Sequence, residues 1–524
     1  YDTVPDENNP TNTSLHGYSN TVYPTTITAN SLLTIYYYDN YDWTHYGCHP
    51  FQGAQALGKG RSWSTRGIQT GIKERVLGQS GSIEPWVATT YYYDTEGRLV
   101  QKISDMGIPG QQVESFLYDA NGNVIQSRTR QQQSYPNPFT ILSYDRFYKY
   151  NTAGKLHRIE QQIAGDEENG KVTLATYWYD YRGDLSHKWL HGVWDTVKYT
   201  RGIDRAVTAV KSSSFEYELK HDNALTPRYD GNIGEIVNRD CYGNWNSHYT
   251  YDNLGRLKTF SRDGGRSASY SYDRNGNLAS LYRYLDWNRQ DDLSLVYGVG
   301  SNGNALRSMT KNGRAITGYT YDANGNMTRD ADRGINITYN ILNLPDQVGN
   351  ARYSYTSTGR KLQVYEGTST TNYVGEAVYS NYSPVSLSNP EGESRFTRSR
   401  WSTIGFDVDY RYFYKDHLGS VCFVSGPPYY YGPGVDWTID RWGDNRWDLN
   451  IDYQRSIYFP FGQNTWEDNL TENKRLFTGK ELQNTRIGND LLRLYDFGAR
   501  YYDPVVARWT SIDPLAEKYY SQSP

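Results

Sequence analysis

Apolar and polar residues change places at short intervals along this chain. Where a run is regular its period is two, as in "RLVQKI" at 98–103, where Leu99 and Ile103 share one face and Val100 and Lys102 the other. Long helical periods are scarce. The runs end on tyrosine and restart on Leu, Val or Met after a glycine. This pattern predicts an all-β chain of many short antiparallel strands joined by tight turns.

The punctuation between runs is itself repeated, in the form Y-D-x-x-G-[RN]-[LVM]. Close copies are "YDTEGRL" from Tyr93, "YDANGNV" from Tyr118, "YDNLGRL" from Tyr251, "YDRNGNL" from Tyr272 and "YDANGNM" from Tyr321. Weaker copies begin at Tyr150, Tyr179, Tyr339 and Tyr355, and "DCYGNW" at 240–245 and "GSNGNAL" at 300–306 look eroded. Tyr93 and Tyr118 are 25 positions apart and Tyr251 and Tyr272 are 21 apart, a spacing that suits one hairpin per unit. In each unit tyrosine closes a strand. Asp94, Asp119, Asp252, Asp273 or Asp322 can then accept backbone N–H groups across the turn. Gly97, Gly122, Gly255, Gly276 or Gly325 supplies the positive φ that a side chain resists.

Composition changes this picture in three ways. The chain has 524 residues, only 37% of them apolar, and a mean hydropathy of −0.80, which is low for a protein wrapped around a thick core. Its 52 tyrosines and 14 tryptophans nevertheless exclude a disordered chain, and tyrosine suits sheets wetted on one or both faces. Net charge is −4 with the signs interspersed, so no basic stripe supports nucleic-acid binding. No apolar run approaches the roughly 18–20 residues that span a bilayer. The chain begins at Tyr1 without a signal peptide, and the expectation is a processed or excised piece with a linker-like segment over 1–30.

Candidate chemistry is sparse. Cys48, Cys241 and Cys422 are too few and too scattered for a disulfide framework and are expected as buried or half-buried thiols. Arg61, Arg66, Lys73 and Arg75 lack the spacing of a phosphate loop and are expected on a solvated strand face, in a Gly/Ser/Arg segment of irregular strands and loops. His187 and His191 in "HKWLH" have metal-compatible spacing but no third ligand nearby, so neither metal nor cofactor is expected.

After the repeats fade at residue 365, five landmarks follow in order: "YFYKDHLGSVCFV" (412–424), "YFPFG" (458–462), "LFTGKEL" (476–482), "YDFGARYYDP" (495–504) and "RWTSIDPLAEKYYSQSP" (508–524). Together they resemble the Rhs repeat-associated core domain. The repeats resemble the YD repeats of bacterial Rhs, toxin-complex C and teneurin proteins, and the order of motifs over 31–100 is similar to the region ahead of the repeats in one Rhs subgroup. The organisation read from this is a linker over 1–30, a pre-repeat β region over 31–90, YD repeats over 91–365, and a core over 366–524. That core carries a Pro/Gly/Trp-rich insertion at about 425–455.

The resemblance implies antiparallel hairpins spiralling into a hollow, barrel-like β-cocoon. The Tyr and Asp of each repeat are then structural rather than catalytic, and so is His417 beside Asp416. It also implies an autoprotease in some members, built from one Arg and two Asp. Here Arg500 and Asp513 match the first two, and the second Asp belongs to a DPxG stretch expected beyond Pro524. A neutral acid and a carboxylate can exchange a proton during peptide attack, and an arginine can orient the ionised one. One Asp alone cannot complete that site, so no enzymatic activity of this chain is expected. Asp513 can equally be a turn residue before Pro514.

Two functions follow from the resemblance. One is a secreted or surface-displayed bacterial shell that encapsulates a polypeptide, either its own C-terminal extension or other cargo. The other is a rigid cell-surface scaffold that binds an adhesin, an outer-membrane protein or a secretion-system protein through exposed insertions. Trp437, Trp442 and Trp447 are the candidate partner contacts, with packing back onto the shell as the alternative. A carbohydrate-active reading, suggested by the aromatics and acids, ranks last for want of a preferred carboxylate pair. "DTV" triplets at Asp2 and Asp195 match a short O-glycosylation acceptor pattern.

Overall fold

The computed structural model describes residue 16 and residues 31–58, 60–78, 86–134, 141–166, 169–240, 243–286, 288–298, 303–398, 406–427, 451–468, 473–487 and 490–519. Trp437, Trp442, Trp447, Cys241 and Asp2 lie outside these residues. Among the described residues regular structure is antiparallel β-strand, interrupted only by short 3-10 turns. Two compact units are present. One comprises Tyr1–Leu174, Asn350–Asn389 and Arg395–Val408, and the other Ala175–Gly349, Pro390–Ser394 and Asp409–Pro524.

The turns explain why the hairpins form where they do. The Asp94 N–H donates to the Arg98 carbonyl at 2.9 Å, and the Gly97 N–H donates to the Asp94 carbonyl at 3.1 Å. Gly97 sits at φ +77° and the register slips between Tyr92 and Tyr93, which makes a three-residue hairpin loop with a glycine bulge. Oδ1 of Asp94 accepts the N–H groups of Glu96 and Arg98, and Oδ2 accepts Nε of Arg98 at 2.7 Å. The same set recurs at Asp252 with Arg256, and at Asp119, Asp273 and Asp322 with Asn123, Asn277 and Asn326. This accounts for the [RN] position of the repeat: its side chain satisfies the second carboxylate oxygen. At Asp119, hydrogen bonds from the Asn123 side chain and backbone hold the carboxyl below its ordinary range.

Seven of the repeat tyrosines lock their hairpins to an earlier one. The hydroxyl donates to the backbone carbonyl of the Leu, Val or Met that opened an earlier strand. Tyr118 reaches Leu99 at 2.7 Å, Tyr150 reaches Val124 at 3.0 Å, Tyr272 reaches Leu257 at 2.7 Å, Tyr321 reaches Leu306 at 3.0 Å and Tyr339 reaches Met327 at 2.9 Å. Tyr93 and Tyr251 bond Gln69 and Ile233 in the same way, each at 2.8 Å. Where the repeat carries Arg, that guanidinium also covers the next tyrosine ring, as Arg256 does over Tyr272 at 4.6 Å. Tyr272→Phe is expected to cost about 1 kcal/mol, since it orphans a half-buried carbonyl without changing shape. Urea unfolding of the variant against the parent measures it.

In the first unit, strands Thr34–Asp39, Thr65–Leu77, Trp86–Tyr93, Leu99–Asp105, Gly110–Tyr118, Val124–Gln133, Ile141–Tyr150 and Leu156–Ile163 each pair with the next. Within the segment expected as irregular strands and loops, residues 60–64 are loop and Thr65–Leu77 form a 13-residue strand whose pairing with Thr34–Asp39 slips register twice. Its Gly71 leaves room for Trp43, whose ring would lie 2.0 Å from a Cβ there and stacks on Tyr37 with centroids 4.2 Å apart. Of the basic residues expected on a solvated face, Arg66 is exposed on this strand, whereas Arg61, Lys73 and Arg75 are half-buried. The Arg61 guanidinium lies 3.6 Å over the Trp63 ring. Lys73 donates to the Tyr46 carbonyl at 2.8 Å, and burial lowers its pKa.

In the second unit, eleven successive pairings run from Leu185–Leu190 through Asp195–Arg201, Val207–Lys211, Phe215–Lys220, Glu235–Asp240, Gly243–Tyr251, Leu257–Arg262, Arg266–Tyr272, Leu278–Leu285, Asn288–Tyr297 and Leu306–Lys311 to Arg314–Thr317. The alternate residues Phe260, Tyr270, Leu281, Leu293, Leu306 and Met309 turn to one face, where Phe459 and Val506 complete an apolar cluster.

Candidate functional site

The C-terminal stretch of the second unit is a small sheet of Glu481–Gln483, Leu494–Asp496, Tyr501–Asp503 and Arg508–Trp509. Arg500 ends the turn before the third of these strands, where the Phe497 N–H donates to its carbonyl at 3.0 Å. The chain then returns along Tyr501, bonded there through Thr510, and reaches Asp513. The two candidates meet: Nη2 of Arg500 donates to Oδ2 of Asp513 at 2.7 Å. The guanidinium also lies 4.2 Å over the Trp509 ring. Oδ1 of Asp513 accepts the Leu515 N–H at 2.8 Å, and its carbonyl accepts the Ala516 N–H at 2.9 Å. Asp513 is therefore anchored in a turn and held by an arginine at once. Among the described residues no second carboxylate is bonded to Arg500, so a paired acid and base are not assembled here.

This stretch passes directly over a repeat turn. The Met327 N–H donates to the Thr510 carbonyl at 2.8 Å. Gly325 lies so close to Ile512 that a Cβ would come within 2.3 Å of its side chain. The turn "YDANGNM" thus supports the segment that carries Asp513.

Beside it lies a buried charge cluster that sequence reasoning missed. Arg333 bonds Asp330 at 2.7 Å, both oxygens of Asp503 at 2.6 and 3.1 Å, and the Leu492 carbonyl at 2.9 Å. Burial alone would raise the Asp503 pKa, but the Arg333 guanidinium outweighs it and holds the carboxyl below its ordinary range. Burial likewise opposes the charge on Arg333, and the two carboxylates reverse that and raise its pKa. Arg283 is a second missed residue. It is fully buried and donates to the Pro504 and Val505 carbonyls, each at 2.9 Å, and to Asp291 at 3.1 Å. The only signal for it in sequence is an arginine at an inward position of "LASLYRYL".

The remaining candidates are placed as follows. Asp416 makes the same turn as the repeat aspartates, accepting the Leu418 and Ser420 N–H groups, with His417 at the turn tip. Burial raises the Asp416 carboxyl and lowers the His417 imidazole. His187 stacks on Trp178, and Nδ1 of His191 meets the Tyr412 hydroxyl at 3.0 Å, with burial lowering its pKa to about 4. Among the described residues no three His, Cys, Asp or Glu side chains are grouped to hold a metal. Cys48 and Cys422 are free thiols whose pKa burial raises. Asp195 is buried and accepts the Tyr414 hydroxyl at 2.6 Å. No helix among the described residues is long and apolar enough to cross a membrane.

A hairpin-built, all-β fold of this kind is seen in solved toxin-complex assemblies. The crystal structure of TcdB2-TccC3 superposes with a TM-score of 0.54 at 14% identity, covering 86% of this chain and 27% of that one. The Photorhabdus luminescens Tc holotoxin pore, carrying a substituted TccC3, gives 0.52 at 13% identity, covering 86% and 26%. The likeness is one of fold, and the chain spans about a quarter of the length of the chains it matches. No family model matches the chain, and no curated protein matches it.

Proposed function

We propose that this chain is part of a secreted Rhs-type β-shell that encloses a polypeptide, within a protein complex of the toxin-complex kind. The observation that carries this reading is the hairpin series itself: tyrosine hydroxyls tie many of its hairpins to one before, as in Tyr118 to Leu99 and Tyr272 to Leu257. Such a series builds extended wall without needing a thick core, in keeping with the low apolar content. The fold likeness over 86% of the chain supports the same reading. The carboxylates of the repeats serve as turn caps in it and carry no chemistry.

The Arg500–Asp513 contact favours a second element of this reading, a self-cleavage centre whose other Asp is supplied by chain following Pro524. One experiment addresses both. The longer protein is expressed with residues beyond Pro524, purified natively, treated with a broad protease and imaged by cryo-electron microscopy. The expected result is a protected C-terminal polypeptide inside the wall, separated from it in the parent and still joined to it in Asp513→Asn. An empty interior with a partner docked outside overturns enclosure in favour of the surface scaffold. Equal cleavage in Asp513→Asn overturns the self-cleavage element alone.

A further inference from the structure

A second group of charged side chains in the second unit contains buried donors without partners. On one face of the sheet Trp245 stands in register opposite Asn238, Ser247 opposite Arg262, and Arg262 opposite Arg266. Strand Ile451–Tyr458 brings Arg455 over this face. The Arg262 and Arg455 guanidiniums lie 4.4 and 4.5 Å from the Trp245 ring centroid. A cavity of about 80 Å³ opens among them, lined by Trp245, Arg262, Arg455, Asp240 and Asn238.

Like charges directly opposite on neighbouring strands are destabilising, and buried donors without partners are costly. Both conditions hold here. Nε of Arg262, Nε of Arg266 and Nε1 of Trp245 are buried without a hydrogen-bond partner. Asp240 bonds Arg455 at 2.8 Å and so offsets one of the three guanidiniums. Asp286 offsets part of the charge on Arg266. Asp416 also lines the cavity, but its Oδ1 is taken up by the Leu418 and Ser420 N–H groups of its own turn, and among the described residues no carboxylate is bonded to Arg262. Burial first, and then Arg266, pushes the Arg262 pKa down to about 9, a penalty that a bound anion reverses.

We propose that Trp245, Arg262 and Arg455 form a binding site for one small oxyanion in this cavity, with Arg266 adding positive charge from the neighbouring strand. Water can satisfy the open donors but leaves Arg262 without an anionic partner. Guanidiniums are suited to oxyanions, which they bond in a planar fork, and the cavity has room for on the order of two or three waters or one such ion. The oxyanion is either a free phosphate-like ion or a carboxylate borne by a polypeptide. The inference stands apart from the shell reading, since it rests on this face of one unit alone.

Isothermal titration calorimetry at constant ionic strength tests it, with inorganic phosphate in one series and acetate in another. Saturable binding of phosphate alone supports a free ion, and binding of acetate as well supports a carboxylate group. Arg262→Gln is expected to weaken binding by roughly tenfold to a hundredfold, the loss of one charge-assisted interaction. Asn238→Asp, which is isosteric and places a carboxylate in the cavity, is expected to abolish binding and to raise the melting temperature in phosphate-free buffer. Absence of saturable heat with both ions, or unchanged affinity in both variants, overturns the proposal.

Discussion

An Arg333→Met variant is expected to lose about 3–5 kcal/mol of stability in urea unfolding, because it leaves two carboxylates buried without their shared cation. Arg333, Asp330 and Asp503 are 12%, 6% and 12% exposed at their side chains, so solvent cannot replace the lost partner. The sign of the pH dependence follows from Asp503. Its folded pKa lies below its unfolded value, near 3.9. The contribution of the pair is therefore complete above that unfolded value and disappears as pH falls through the folded one. A flat pH response from neutrality to strongly acidic solution would remove the electrostatic explanation. A triple variant, Asp330→Asn with Arg333→Met and Asp503→Asn, keeps the turn-capping oxygens that serve Asp332 and Val505. It is expected to recover part of the loss, since discharging all partners together avoids the stranded charge. If it recovers nothing, Arg333 acts through its bond to Leu492 and through packing.

The second large effect is expected at Gly462. Gly462 sits at φ +87°, and a Cβ there would come within 2.5 Å of the Phe477 ring. That ring is held among Tyr458, Tyr495 and Tyr502 and has little room to yield. Gly462→Val thus combines left-handed backbone strain of about 1–3 kcal/mol with overpacking of about 1–3 kcal/mol. Two other turns separate these terms. Gly122 has the same backbone sign and nothing within 4 Å, so Gly122→Val is expected to show strain alone. At Gly325 the crowding atom belongs to Ile512, an exposed side chain that can rotate away, so Gly325→Val is expected to fall between the two. Thermal unfolding of the three variants side by side checks the order. Equal losses would mean that the space around the turn is irrelevant.

These turns also show what could be read in advance. Asp and Gly of the repeat act within five residues, and their chemistry is written in local sequence. The fading of the motif after residue 365 is not a fading of the turn. Phe459 and Leu476 occupy the Asp position with backbone bonds only, Phe459 to Gln463 and Leu476 to Lys480, each at 2.9 Å. Gly202 and Arg205 do the same in "RGIDRAV", with Arg205 at φ +70° in the glycine place. A pattern of side chains misses a turn that the backbone can make unaided. Tyr297 and Tyr458 also bond as repeat tyrosines, to Leu278 at 2.7 Å and Val421 at 2.6 Å. No Y-D pair marks either one. Arg283 and Arg333 were illegible for another reason: their partners Pro504 and Asp503 are more than 150 residues away, and no local period encodes such a meeting. Arg500 and Asp513 could be paired from resemblance, whereas their anchoring by Trp509 and Leu515 could not.

The tyrosine bonds run in one direction along the chain. Each hydroxyl points back to a carbonyl made earlier, 19 residues before Tyr118, 15 before Tyr272 and 12 before Tyr339. A nascent chain leaving the ribosome therefore meets each partner already in place. Such short-range closure is fast compared with distant strand pairing. The hairpins so tied can be laid down in order, each closing on one already made.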